Sequence, residues 1–268
     1  MVKAKKETEI GDVLVHAPEE AILPVVLLGR SPLIINRLAE KARQELLYPA
    51  GPKNAAERQS RLKHNPIEEF RSSVHQIADP TAATLLAMPG SAIKRALASA
   101  ALDIPGAKKA QVGRLTYVPE QLVNVFGIPR LLMSVVRNSD MNHTPDVRSR
   151  AIVERWVIVA TICFVTPLLK PQTVLNLLAA AGLYIGLGDW RPEKGAGNFG
   201  QFEVLPFAQR EHDSRVLDIM QQNRAVQEAA MLNAEPFDNE SRELLNWFDT
   251  TVKLRGKHAA KAVEALAE

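Results

Sequence analysis

The chain is poor in cysteine and in long apolar runs, and each shortage excludes a class of protein. Its 268 residues include one cysteine, Cys163, which excludes both a disulfide framework and a cysteine zinc cluster. The longest nearly unbroken apolar run, Val157–Leu169, has 13 residues. A membrane-spanning helix needs about 20 apolar residues. We therefore expect a protein without a membrane segment.

An excess of charge of one sign is also lacking. The sequence has 33 Lys and Arg against 30 Asp and Glu, a net charge of +3. This mild excess permits a nucleic-acid partner but does not demand one, so the local arrangement of the basic residues must decide. The first residues contain no apolar segment of the kind found in secretory signals, and we expect a cytoplasmic protein.

The motifs of common enzymes are absent. The sequence has no P-loop lysine motif, no G-x-S-x-G elbow and no histidine pair at a metal-ligand spacing. Asp140, His143 and Asp146 form the one cluster suited to acid–base catalysis, and a solvated loop explains them equally well. The sequence therefore predicts no cofactor, no metal and no catalytic residue, and it favours a protein without enzymatic activity.

The first 102 residues predict an arm, a strand and several helices. Residues 1–20 are polar and mixed in charge, as expected of a flexible arm. Pro24–Gly29 is typical of a short buried strand. Ser31-Pro32 has the form of an N-cap followed by a proline in the first turn, which predicts a helix from Ser31. Pro66–Ile77 and Pro89–Leu102 predict two further helices.

The rest of the chain predicts a β-rich middle and a helical tail. Residues 115–165 are rich in Val, Ile and Leu, with a polar hairpin loop at 138–146. Pro171–Tyr184 predicts an apolar helix, and a strand from Phe199 follows a glycine-rich loop. We therefore predict an arm over 1–20, an α+β domain over 21–208 and a helical extension over 209–268 that lies outside the core.

The segment Gly186–Glu203 carries the most information about function. Trp190 and Phe199 alternate with Arg191 and Lys194. Aromatic rings can stack on bases while basic groups contact phosphates. The alternative is a loop folded around Trp190, with Arg191 paired to a carboxylate of the same loop. Charge alone does not separate these two interpretations.

Three glycines in this segment, Gly195, Gly197 and Gly200, match the pattern G-x-G-x-x-G. A dinucleotide site needs a strand before the pattern and a helix after it, and here the predicted order is reversed. A simple glycine turn is one interpretation. The other is that three close glycines allow a second backbone, such as a nucleic-acid strand, to approach the loop.

Two of these features resemble a known family. The stretch Met88–Leu97, with its Pro-Gly-Ser-x-Ile-Lys-Arg pattern, and the late glycine loop Gly186–Gly200 are similar to those of the RAMP superfamily. Its members are the RRM-like backbone proteins of CRISPR effector complexes. The resemblance implies an RRM-like antiparallel sheet, and it supports Lys94, Arg95 and the glycine loop as contacts to nucleic acid.

The chain also resembles a group of tailed-phage proteins over about residues 25–205. The shared features are a helix start at Ser31–Ala42, an Arg-x-Arg…Trp strand at Arg148–Trp156, and a Gly-x-Gly-Asp-Trp-Arg-Pro-Glu-Lys-Gly run at Gly186–Gly195. This resemblance implies a bacteriophage protein that acts in the host cytoplasm. It identifies relatives rather than an activity.

Together these observations predict an α+β fold: a ferredoxin-like or RRM-like antiparallel sheet with embellishing loops and a C-terminal helical extension. The predicted function is a non-enzymatic nucleic-acid-binding protein that forms a homo-oligomer or filament side by side along single-stranded DNA or RNA. The alternatives are a structural or assembly protein that contacts protein through the same fold, and a RAMP-type nuclease. Trp190 is the predicted stacking residue. The other predicted contacts to nucleic acid are Arg37, Lys41, Lys94, Arg95, Arg148, Arg150, Arg191, Lys194, Gly195, Gly197 and Gly200.

Overall fold

The computed structural model describes residues 17–37, 64–137, 145–194 and 197–264. Within these residues the main sheet has seven strands and a second sheet has three. The main sheet contains β1 (Glu19–Gly29), β3 (His75–Gln76), β4 (Leu86–Pro89), β5 (Thr116–Tyr117), β6 (Leu122–Phe126), β9 (Val157–Thr166) and β10 (Phe202–Pro206). The second sheet contains β2 (Leu33–Ile35), β7 (Pro129–Arg137) and β8 (Pro145–Val153).

The main sheet has the ferredoxin-like order that the sequence predicted. Its strands run β10-β1-β9-β6-β4-β3, and neighbouring strands are antiparallel. Helix α2 (Gly90–Ala100) lies between β1 and β6 in the chain, and helix α4 (Pro171–Ala180) connects β9 to β10. The four strands β1, β6, β9 and β10 with these two helices form the βαββαβ unit of that fold. The α+β prediction is confirmed.

Alternation along the strands separates two apolar layers. Val25 and Leu27 of β1 point into the main core with α2 and α4, whereas Val26 and Leu28 point to the opposite, outer face. Strands β7 and β8 of the second sheet are an insertion between β6 and β9, and β2, from nearer the start of the chain, pairs with β8. Its inward residues continue the main core, and Ile34 with its neighbours forms a third apolar cluster on the other side.

Local sequence explains where the helices begin. Helix α1 (Pro66–Ser72) has proline in its first turn and is capped by Asn65, whose side-chain oxygen accepts the Glu68 N–H. Helix α4 also starts at a proline. In α2, the spacing of Ile93, Leu97 and Ala100 buries one face. None of the helices in the described ranges is both long enough and apolar enough to cross a bilayer.

The helix start predicted at Ser31 is wrong, and the rest of that predicted helix lies outside the described residues. Leu33–Ile35 is strand β2, and it pairs with Ala151–Val153 of β8. All three side chains are buried, on both faces of the strand. Three adjacent apolar residues at this position therefore form a strand that is covered on both faces. Local helix-start signals do not distinguish such a strand from the first turn of a helix. The strand predicted at Pro24–Gly29 is confirmed as the end of β1.

The C-terminal helices complete the core, contrary to the prediction that they lie outside it. Helix α5 (Ser214–Met220) covers part of the outer sheet face through Val216 and Ile219. Helix α6 (Arg224–Leu232) buries Met231, and helix α7 (Asn239–Glu264) buries Ser241 against β7. These helices therefore pack against the sheets, and the domain boundary predicted at residue 209 stays a prediction.

Gln227 of α6 connects this tail to the main sheet through four hydrogen bonds. Its side-chain oxygen accepts the N–H groups of Leu85 and Leu86 at 2.9 and 3.0 Å. Its side-chain nitrogen donates to the carbonyl oxygens of Val125 and Gly127 at 2.8 and 3.0 Å. The residue is fully buried. One amide therefore satisfies backbone groups at the ends of β4 and β6 that would otherwise lack partners.

We predict that Gln227→Leu lowers the free energy of unfolding by at least about 3 kcal/mol, because it leaves two buried N–H groups and two buried carbonyl oxygens without partners. Urea denaturation measures the loss. Gln111→Leu, at an exposed position of helix α3 (Lys109–Leu115), is the matched control and should change stability little. A loss below about 1 kcal/mol for the Gln227 variant would contradict this account of the tail.

Candidate functional site

A groove of about 480 Å³ lies where α2, the start of α3, the end of β2 and the glycine-rich loop meet. Two segments that the sequence singled out, the Pro-Gly-Ser helix and the loop from Gly186, both line this groove. The residues that line it are Ile35, Asn36, His75, Met88, Pro89, Ala92, Arg95, Ala96, Ser99, Lys109, Ile185, Gly186, Leu187, Gly188, Asp189, Arg191, Glu193 and Lys194.

The loop is packed tightly on this chain's own backbone. Gly200 has φ +72°, and a Cβ there would overlap the carbonyl of Leu187. A Cβ at Gly197 would overlap the carbonyl of Trp190. The Leu187 N–H also donates to the Gly200 carbonyl at 2.9 Å. The second backbone that the close glycines indicated is therefore supplied by the loop itself at both positions.

A buried ion pair holds the loop from below. Arg150 of β8 is 2% exposed, and its Nη1 donates to the Asp189 carboxylate at 2.6 Å. Its Nη2 donates to the Ser134 hydroxyl at 2.9 Å. The same carboxylate accepts from Asn36 at 2.9 Å and from the Trp190 N–H at 3.0 Å. Arg150 thus supports the loop from inside, which corrects its predicted place among the surface contacts.

The electrostatics of this pair keep both groups charged. Burial would raise the pKa of Asp189, but the hydrogen bond and the charge of Arg150 outweigh it and hold that pKa below its usual value. Burial lowers the pKa of Arg150, and Asp189 opposes the change. An arginine has so high an intrinsic pKa that it stays protonated. The pair is therefore a fixed ionic contact at neutral pH.

Trp190 is part of this packed cluster. Its ring lies 4.5 Å from the Arg150 guanidinium carbon and 6.0 Å from the Phe199 ring. Its φ of +51° is unusual for a residue with a side chain, and the bond from its N–H to Asp189 fixes that conformation. One face of the ring is occupied by Arg150, and Trp190 is not among the groove-lining residues. This packing matches the alternative of a loop folded around Trp190.

Arg191 is also engaged within the loop. Its Nε and Nη2 donate to Glu193 at 2.9 and 2.7 Å, and its Nη1 donates to the Gly188 carbonyl at 2.9 Å. Burial would raise the pKa of Glu193, but the Arg191 hydrogen bond outweighs it and lowers that pKa. Both carboxylates that line the groove are therefore already paired with arginines of this chain.

Three other cations at the groove are not paired in this way. Arg95, Lys109 and Lys194 form no salt bridge with any residue that the structure describes. Arg95 and Lys194 are exposed, and Arg95 also donates from Nε to the Ser91 carbonyl at 3.3 Å. The groove lining holds four Arg and Lys against two paired carboxylates. Such an arrangement favours an anionic ligand.

The remaining predicted contacts lie elsewhere or outside the described residues. Lys94 is half-buried on α2 beside Arg95, and Arg148 is exposed on β8. Arg37 is half-buried just after β2, and its backbone N–H donates to the Ser73 carbonyl. Lys41 and Gly195 lie outside the described residues. Of the predicted residues, the structure brings Arg95, Arg191 and Lys194 together at one groove.

The predicted acid–base cluster is only partly described, because Asp140 and His143 lie outside the described ranges. Asp146 contacts His64 Nε2 at 2.9 Å, and His64 Nδ1 contacts Glu69 at 2.7 Å. Both ring nitrogens are thus occupied by carboxylates, which connects α1 to the start of β8. Across the described ranges, no three His, Cys, Asp or Glu residues are placed to hold a metal ion.

The outer sheet face offers a poor surface for nucleic acid. RRM domains stack bases on aromatic residues of the sheet. Here Tyr117 donates its hydroxyl hydrogen to the carboxylate of Glu20, and this bond raises the pKa of Tyr117. Ile22 beside them is 66% exposed, and α5 covers the other part of this face. The negative charge of the Glu20 carboxylate, which is bonded to Tyr117, repels the phosphates of a nucleic-acid backbone at this position.

Sequence reasoning missed several groove residues. Lys109 follows Lys108 at the start of α3, and that basic pair was a readable signal. Asn36 directly follows a strand and bonds to Asp189 across 153 residues of sequence, which no local pattern indicates.

No protein-family model matches the chain, and no curated protein matches it in sequence. The resemblance to the RAMP superfamily and to the phage group therefore stays a prediction.

We predict that Gly197→Val destabilises the protein by at least about 2 kcal/mol, because the new side chain overlaps the Trp190 carbonyl. Differential scanning calorimetry measures the fall in Tm. Gly113→Val is the control: a Cβ there meets nothing nearer than Ala98 Cβ at 3.7 Å. An unchanged Tm in both variants would mean that the loop does not pack as described.

We predict that Arg150→Met lowers the free energy of unfolding at pH 7 by about 3 kcal/mol, since it leaves the Asp189 carboxylate without its partner. The depressed pKa of Asp189 gives stability that is present above the ordinary carboxyl pKa and is lost as pH falls through the lower, native pKa. The difference between the two proteins should therefore shrink as pH falls from 7 to about 3. Urea titrations at several pH values measure it, and a constant difference would contradict the pairing.

Proposed function

We propose that this protein binds single-stranded nucleic acid through the groove between α2 and the glycine-rich loop. The observation that supports this most is the charge balance. Arg191 neutralises Glu193 at 2.7 Å, and Arg150 neutralises Asp189 at 2.6 Å, so neither carboxylate opposes an incoming phosphate. The three cations that remain can pair with successive phosphates.

The contacts in this proposal are to the backbone rather than to base edges. Arg95, Lys109 and Lys194 come from α2, from α3 and from the loop, so three separate segments supply the cations of the groove. Phosphate contacts fix a strand without reading its sequence. The protein would therefore bind strands of many sequences. OB-fold modules that bind single strands cover about 4–16 nucleotides each. A site of similar size here would leave room for several copies side by side on a long strand.

The test is a charge-reversal series. We predict that the double variant Arg95→Glu and Lys109→Glu binds a labelled 20-mer of deoxythymidine at least tenfold more weakly than wild type. Each lost phosphate contact should also lower the slope of log K against log salt by about 0.7, the single-strand value. Fluorescence anisotropy at several salt concentrations measures both quantities.

Lys170→Glu is the matched control. Lys170 follows β9, whose last residue Thr166 pairs with Glu19 at the end of β1 away from the groove. Lys170→Glu makes the same change of charge as each single groove substitution, at a distant exposed position, and should leave affinity within about twofold. If the double variant and the Lys170→Glu control lost affinity equally, the loss would come from net charge and not from the groove. Wild-type binding with a salt slope near zero would overturn the phosphate-contact proposal.

A further inference from the structure

The floor of the groove is chemically different from its rim. Ile35, Met88, Ala96, Ile185 and Leu187 line the groove and are each at most 5% exposed, so they form a fixed apolar surface. The four cations and the two paired carboxylates are the charged part of the lining, and Arg95 and Lys194 are exposed. Phosphates gain nothing from an apolar floor, because burial against it strips their hydration.

The polar groups beside the floor are few and partly engaged. Asn36 uses its side-chain nitrogen to donate to Asp189, and its side-chain oxygen has no hydrogen-bond partner among the described residues. Trp190 and Phe199 pack against each other in the third cluster, and neither lines the groove. An apolar surface with an open acceptor at its edge is complementary to a flat ring with polar edges.

The size of the groove fits a ligand of that kind. Its volume of about 480 Å³ falls in the range of about 300–1,000 Å³ typical of small-molecule pockets. A groove that only followed a backbone would need a charged rim and no such recess. A nucleobase has apolar faces and hydrogen-bonding edges, and it can enter a recess only when it is unstacked from its neighbours.

We propose that the groove receives one unstacked base of the bound strand on this apolar floor, while the flanking phosphates pair with Arg95, Lys109 and Lys194. This inference rests on the proposed function and adds a base-binding recess to it. The base contributes affinity through its faces, so the recess accepts any base that fits. Strands with unpaired bases then bind better than the same phosphates without bases.

The test compares strands that differ only in their bases. One is a 12-mer of deoxythymidine, and the other is a 12-mer of abasic tetrahydrofuran units with the same phosphates. We expect wild type to bind the abasic strand about tenfold more weakly, with an unchanged salt slope. Fluorescence anisotropy against salt concentration measures affinity and slope together.

A variant that fills the recess makes the test specific to this groove. Ala92 is half-buried on the α2 wall, and Ala92→Phe should reduce the deoxythymidine affinity to that of the abasic strand. Ala179→Phe places the same ring at an exposed position of α4 and should keep the tenfold difference. Circular dichroism and Tm verify that both variants are folded, and the comparison of strands on wild type does not depend on them.

The outcomes separate the two proposals. If wild type binds both strands equally and with the same salt slope, the base recess is overturned and phosphate binding stands. If wild type binds neither strand, the proposed function fails and the recess fails with it. If Ala92→Phe, once shown to be folded, keeps the full tenfold difference, the base is bound elsewhere and the recess is overturned.

Discussion

The ionic contact between Arg150 and Asp189 is the constraint on which the groove depends. Arg150 sits in β8 of the second sheet, and Asp189 belongs to the loop that follows α4. The contact ties the inserted hairpin to the glycine-rich loop and fixes Trp190 at a positive φ. Such a pair gains little net stability over apolar packing, but it specifies one arrangement of the chain segments that meet there.

That contact also decides which charges remain for a ligand. Of the basic residues near the loop, Arg150 and Arg191 are engaged with carboxylates of the loop itself. Arg95, Lys109 and Lys194 have no such partner among the described residues. The aromatic residues are engaged as well, since Trp190 packs between Arg150 and Phe199. The result is a groove with a cationic rim and an aliphatic floor, in place of an aromatic stacking platform.

The tail shows how far local patterns could be trusted for the fold. Charge and periodicity predict helical segments after Arg210, and the structure has helices α5, α6 and α7 in this region. Their burial depends on polar groups that carry no apolar signal: Gln227 and Ser241 are both fully buried. A glutamine reads as a surface residue in sequence, whereas here it satisfies the ends of two strands. Only the tertiary pairing reveals that role.

The sequence by itself indicated the strand at Pro24–Gly29, the helix from Pro89 and the glycine-rich loop from Gly186, because apolar period and glycine content are local properties. The RRM-like sheet and the attention to Lys94 and Arg95 came from the resemblance to the RAMP superfamily. Tertiary structure alone decided that Leu33–Ile35 is a strand, that Arg150 is buried and that Lys109 joins the groove. Each of these three features depends on contacts between segments that are distant in sequence. A paired strand or a paired charge needs a partner, and in these cases the partner lies far away along the chain.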